Sequence, residues 1–81
     1  MDNQAYAWST LTDHYKSLGL DFNIIINPEE ENRMEITVFY KEDGEDMVMA
    51  YYISQDFLTS VHLNAVLDFR MDEDKRMFGE A

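Results

Sequence analysis

The chain contains no cysteine, so a disulfide framework, a thiolate nucleophile and a sulfur-ligated metal are all excluded. It has one proline and three glycines, which sit at the ends of segments and leave no flexible linker and no internal repeat. Basic residues are scarce: six Lys and Arg stand against 17 Asp and Glu, a formal net charge of −11. That balance opposes direct binding of nucleic acid and of anionic lipid. No uninterrupted apolar stretch approaches the ~20 residues that cross a bilayer. Met1-Asp2-Asn3-Gln4 lacks the basic start and apolar run of a signal peptide, which together with the missing cysteines predicts a reducing, cytoplasmic location.

What is present argues for a folded domain. Strong acidity is a mark of disorder only when aromatics and apolar residues are few, and here 46% of the residues are hydrophobic and 14% aromatic. At 81 residues the chain suits one domain, 1–81, whose core supplies a few kcal/mol of net stability. Trp8, Leu11, Tyr15 and Leu18 recur at helical spacing and predict a helix over about Asn3 to Leu18. Gly19 followed by Leu20 predicts a left-handed C-cap. Alternation then predicts three strands. Leu20 to Asn27 points Leu20, Phe22, Ile24 and Ile26 inward. Met34 to Lys41 points Met34, Ile36, Val38 and Tyr40 inward. Met47 to Ile53 does the same with Met47, Met49, Tyr51 and Ile53. Asp43-Gly44 is a hairpin signal between the second and third strands, because glycine accepts positive φ.

Ser54 predicts an N-cap, with Asp56 at the positive end of the helix that follows. Leu58, Val61, Ala65 and Phe69 share one face of that helix, and Leu63, Leu67 and Met71 lie nearly opposite. Such a helix is either buried on two sides or broken near Asp68. Residues 72–81 are expected to fray. The expected fold class is therefore α+β, in the order α-β-β-β-α with room for an extra short C-terminal helix. Short connections imply a three-stranded antiparallel meander with the helices on one face. The double-stranded-RNA-binding domain shares this order. Its contacts need basic residues, however, and here Arg70, Lys75 and Arg76 stand among acids, so RNA binding is not expected.

No catalytic signature is present, and no enzyme, cofactor or metal site is expected. His14 and His62 fall on the two predicted helices without a His-Glu-x-x-His spacing, and each suits a half-exposed position. Ser9, Ser17, Ser54 and Ser60 occupy no nucleophile elbow. Glu42 to Asp46 is rich in oxygen but lacks the alternating acids and closing glutamate of a calcium loop.

The acids themselves are bunched: Glu29, Glu30 and Glu31; Glu42, Asp43, Glu45 and Asp46; and Asp72, Glu73 and Asp74. The first two groups belong at opposite ends of the sheet and the third near the end of the chain. Outward Asp21, Glu35 and Asp56 lie between them. Carboxylates along one flank, with strand neighbours at i and i+2 about 6.6 Å apart, would present a charge pitch comparable to a polynucleotide backbone. On the outer sheet face Phe39 is expected beside Val48, and Tyr52 beside Glu35 with Ile25 near. Aromatic anchors ringed by acids suit a basic protein partner.

In size, charge and element order the chain resembles small phage-encoded inhibitors that mimic nucleic acid, of the anti-CRISPR and anti-restriction type. The resemblance implies a protein of the host-cell cytoplasm that blocks the DNA-binding surface of a basic partner such as a Cas effector, restriction enzyme or nuclease. On that reading Glu29, Glu30, Glu31, Glu35, Glu42, Asp43, Glu45, Asp46, Tyr52, Asp72, Glu73 and Asp74 contact the partner, with the domain a monomer or homodimer. Two alternatives have different signatures. One is an immunity protein or antitoxin that neutralises a basic nuclease, for which exposed Tyr6, Tyr40, Tyr51 and Tyr52 would serve. The other is an assembly protein that dimerises through Leu63, Leu67 and Met71.

Overall fold

The first helix, α1 (Asn3–Ser17), opens on Asp2, whose carboxylate accepts the Gln4 N–H at 3.0 Å. It closes as the sequence predicts. Gly19 takes φ 73°, Leu20 donates its N–H to the Tyr15 carbonyl at 3.1 Å, and Gly19 donates to Lys16 at 3.0 Å. These two bonds form a Schellman motif, which needs a residue free of the Cβ clash at positive φ. The computed structural model that shows this describes residues 2–79.

Three strands follow, β1 (Asp21–Asn27), β2 (Arg33–Glu42) and β3 (Glu45–Ile53). They pair antiparallel in the order β1-β2-β3, so β2 is central. Asp43 and Gly44 turn the second hairpin with φ 54° and 83°. Positive φ at both central residues gives the turn whose twist matches the strands. The β1–β2 connection contains a single 3₁₀ turn, Pro28–Glu30, in which Asn27 accepts the Glu29 N–H at 3.0 Å.

One layer of helices covers one face of the sheet. Ile24, Met34, Ile36, Val38 and Ile53 meet Ala7, Leu11 and Tyr15 of α1 and Leu58, Leu63 and Leu67 of the C-terminal segment. The α+β class and the α-β-β-β-α order are as expected. Among the described residues, no helix is long and apolar enough to cross a membrane.

Three details depart from expectation. The helix after Ser54 is only one turn, α2 (Gln55–Leu58), and the next, α3, runs Leu63–Asp74. The break therefore falls at Thr59–His62 and not near Asp68. In an unbroken helix Leu58 and Leu63 would diverge by about 140°, five residues at 3.6 per turn, and could not both enter the core. The turn rephases them, and the Thr59 hydroxyl accommodates it by donating to the Gln55 carbonyl at 3.0 Å. As a result Leu58, Leu63 and Leu67 are buried while Val61 is 94% exposed and Phe69 is 65% exposed. The inward face of α1 is likewise turned, toward Ala7, Leu11, His14 and Tyr15, leaving Trp8 half exposed. Finally, α3 stays ordered to Asp74 and continues through a π-type turn, Lys75–Gly79. Phe78 there packs at a tilt against Tyr40, with ring centres 4.9 Å apart and planes at 54°. Residues 80–81 of the expected frayed tail lie outside the described residues.

Ser54 caps α2 as predicted, its hydroxyl accepting the Phe57 N–H at 3.4 Å. Ser54→Ala should therefore cost about 1 kcal/mol in urea denaturation. An unchanged midpoint would mean that this long bond adds nothing to the one-turn helix.

Candidate protein-binding face

Side chains alternate across a strand, so the register fixes what the uncovered face displays. Three rungs cross it: Asp21–Phe39–Val48, Asn23–Thr37–Ala50 and Ile25–Glu35–Tyr52. Beyond them lie Asn27–Arg33 at one end and Lys41–Asp46 at the other. Ile25, Phe39, Val48 and Tyr52 are each about half exposed, from 47% to 57%. Among the described residues no helix lies over them, since the helices pack on the opposite face. Four large apolar side chains grouped on one open face form the kind of patch that marks an interaction surface.

Arg33 organises the first end. Its Nε donates to the Glu35 carboxylate at 2.8 Å, and Nη2 lies 3.9 Å from Glu30. The guanidinium also sits 4.3 Å above the centre of the Tyr52 ring, a cation–π placement. Glu35 further accepts from Asn27 Nδ2 at 3.2 Å. These bonds, the one from Arg33 first, hold the Glu35 carboxyl below its usual range and raise Arg33 above its own. Sequence reasoning placed Glu35 beside Tyr52 but missed Arg33. The available signal was the i, i+2 spacing of Arg33 and Glu35, which puts both on one face of a strand.

The acids fall into two separate ends. Exposed Glu29, Glu30 and Glu31 occupy the β1–β2 connection. Glu30, Glu31, Arg33, Tyr52 and Asp56 surround a shallow hollow of about 170 Å³. At the far end exposed Glu42, Asp43, Glu45 and Asp46 line the hairpin, with Asp46 bonded to Lys41 at 2.6 Å. Asp21 opens onto the same end beside Phe39 and Asp46. The continuous flank of carboxylates expected from the sequence does not form. The central rung Asn23–Thr37–Ala50 carries no charge, and Glu35 is neutralised by Arg33. What remains is an apolar centre between two negative ends.

The third acid group divides. Asp72 is exposed and Glu73 partly so, but both lie on α3 in the helical layer, away from the open face. Asp74 is not a surface acid at all: it is 0% exposed. Its Oδ2 accepts the Tyr15 hydroxyl at 2.6 Å and lies 3.1 Å from His14 Nε2. Tyr15 in turn meets the Tyr51 hydroxyl at 2.8 Å, and Arg70 rests 4.3 Å over the Tyr51 ring. His14, expected half exposed, is buried at 6% for the same reason. The sequence signal was there: Asp74 follows Leu63 and Leu67 by eleven and seven residues, and His14 follows Ala7 and Leu11 by seven and three. Each spacing puts a polar residue on a buried helix face. Burial forces polar groups to find partners, and these two find each other.

The expected dimer face, Leu63, Leu67 and Met71, also turns inward. Leu63 and Leu67 are buried and Met71 packs against the core, so that helix face is not free to assemble. The fold and face thus define an acidic α+β domain with one uncovered, apolar-centred sheet surface. No protein family, curated protein or solved structure matches the chain.

Proposed function

We propose that the domain is an acidic protein-binding inhibitor that occupies the cationic surface on which a nucleic-acid-processing protein normally holds DNA or RNA, in the manner of anti-CRISPR or anti-restriction proteins. One observation carries the reading: two clusters of exposed carboxylates flank the only sheet face without a helical cover among the described residues. The charges of Glu29, Glu31, Glu42, Asp43 and Glu45 have no ion-pair partner among the described residues, so their field extends outward. Opposed to a Lys- and Arg-lined groove, that field accelerates encounter and excludes the competing polyanion. The four half-exposed apolar side chains favour a second reading within the same class of interaction. An immunity protein docking on a basic nuclease would bury Phe39 and Tyr52 as anchors.

The test is inhibition of DNA binding across a panel of Cas effectors, restriction complexes and basic nucleases, with labelled DNA as the displaced ligand. At least one member should lose DNA in proportion to added protein, with an association rate that falls steeply as salt rises. Replacing Glu42, Asp43, Glu45 and Asp46 together by Asn or Gln should weaken that inhibition by about tenfold or more. The fold should persist, because these positions are exposed and the change removes repulsion. Undiminished DNA binding by every member at saturating protein would overturn the proposal.

A further inference from the structure

We infer that the uncovered sheet face docks a single amphipathic helix with an apolar middle and basic residues at both ends. The inference rests on the proposed function and specifies the partner element that the same face would receive. Its dimensions set the first limit. Two strand spacings separate β1 from β3, about 10 Å, which matches the width of one helix with its side chains. The ten residues of β2 extend over about 33 Å at ~3.3 Å each, the length of a helix of about 20 residues.

The distribution of side chains sets the second limit. Along that length the apolar positions are central. Ile25 and Tyr52 form one rung, Phe39 and Val48 another, and uncharged Asn23, Thr37 and Ala50 lie between. They would receive the middle turns of an apolar stripe. Glu35, in the Ile25 rung, is paired with Arg33, and the other carboxylates of the face stand toward its extremes, with Glu30, Glu31 and Asp56 around the hollow at one end and Asp21 and Asp46 at the other. Arg33, the cation at the first end of the face, is held by Glu35 and Glu30, with its guanidinium 4.3 Å above the centre of the Tyr52 ring. It therefore presents little free charge to an incoming lysine. Charge complementarity accordingly asks for basic residues at the two ends of the occupant and none at its middle. A second copy of this chain is disfavoured by the same reasoning, since each copy carries −11 and would bring acidic ends together.

Three synthetic peptides of about 20 residues with equal numbers of lysines test this. The first has an apolar stripe over its middle turns and lysines in its first and last turns. The second has the same composition with lysines in the middle and apolar residues at the ends. The third keeps terminal lysines but replaces the stripe by serine and glycine. The first should bind the intact domain about tenfold or more tightly than either other. It should shift the amide signals of Ile25, Phe39, Val48 and Tyr52. Val48→Thr, which keeps a β-branched residue on an exposed strand position, should weaken only the first peptide.

Equal affinity for all three peptides would overturn the inference, because unspecific charge attraction would then account for binding. So would shifts confined to the helical layer, or a concentration-dependent dimer that perturbs the same four residues. The two proposals fail separately. If the peptides bind equally while the domain still displaces DNA from a partner, the inference falls and the inhibitory function stands. If the first peptide is preferred but no panel member loses DNA, the docking face stands and the inhibitory function falls.

Discussion

Asp74→Ala should cost the domain about 3–5 kcal/mol, the range for removing one partner of a buried ionic network. A core of this size supplies a net stability of about 3–5 kcal/mol, so the variant is expected to lack a cooperative unfolding transition at physiological temperature. The reason lies in what Asp74 joins. It is 0% exposed, and its Oδ2 receives the Tyr15 hydroxyl at 2.6 Å and faces His14 Nε2 at 3.1 Å. Arg70 approaches the other oxygen at 3.7 Å. Truncation leaves a buried hydroxyl and a buried imidazole without their acceptor, and each orphaned group carries its own desolvation cost of about 1–3 kcal/mol. It also releases the end of α3 from α1. Asp74→Asn, which keeps the shape and one acceptor oxygen, should lose less. Urea denaturation followed by circular dichroism measures both. A loss below about 1 kcal/mol for Asp74→Ala would show that the network is incidental to folding.

Alkaline unfolding should be the second large effect. Burial, and then the hydrogen bond to Asp74, push the Tyr15 hydroxyl far above its ordinary range. Burial chiefly, with Asp74 adding to it, pushes Tyr51 up to about 12. A phenol in the unfolded chain ionises near pH 10. Above that pH the unfolded state releases protons that the native state retains, so the native state binds more and stability falls with rising pH. The contribution is fully present below about pH 10 and declines by up to about 1.4 kcal/mol per pH unit for each tyrosine held neutral. The share of Tyr51 levels off near pH 12, while that of Tyr15 goes on falling. Tyr15→Phe should remove roughly half of the slope, at a cost at neutral pH from the lost hydrogen bonds. Denaturant titrations at a series of pH values above 9 (about one unit below the unfolded phenol) would check this. A flat profile up to pH 12 would mean that water reaches both hydroxyls.

These two effects arise from a part of the molecule that the sequence concealed. The acidic run Asp72-Glu73-Asp74 reads as solvated charge because three carboxylates in succession usually are. Only the helical phase of Leu63 and Leu67 distinguishes Asp74 from its neighbours, and that phase is obscured when Leu58 and Leu63 are read on one helix, whether it is unbroken or broken only near Asp68. The open face shows the converse. Its rungs, Phe39 beside Val48 and Glu35 beside Tyr52, were legible, because a two-residue turn at Asp43-Gly44 leaves one register for β2 and β3. So was the face the helices cover, since alternation puts Ile24, Ile36 and Val38 on one side and they are buried there, although nothing in it states where those helices break. Nor did alternation disclose that Arg33 would quench Glu35 and divide the acids into two ends.

By itself the sequence determined α1 with its Gly19 cap, the three strands and the tight hairpin, and it determined the negative field. Each of these follows from interactions within a few residues: helical and alternating periods, a positive φ that glycine accepts, or a count of charges. Tertiary structure decided where the C-terminal helices break and that Asp74 and His14 lie inside. Those outcomes depend on groups distant in the chain, as Tyr15 and Asp74 are, 59 residues apart. Whether a carboxylate faces water or a phenol is settled only when the helices that carry them meet.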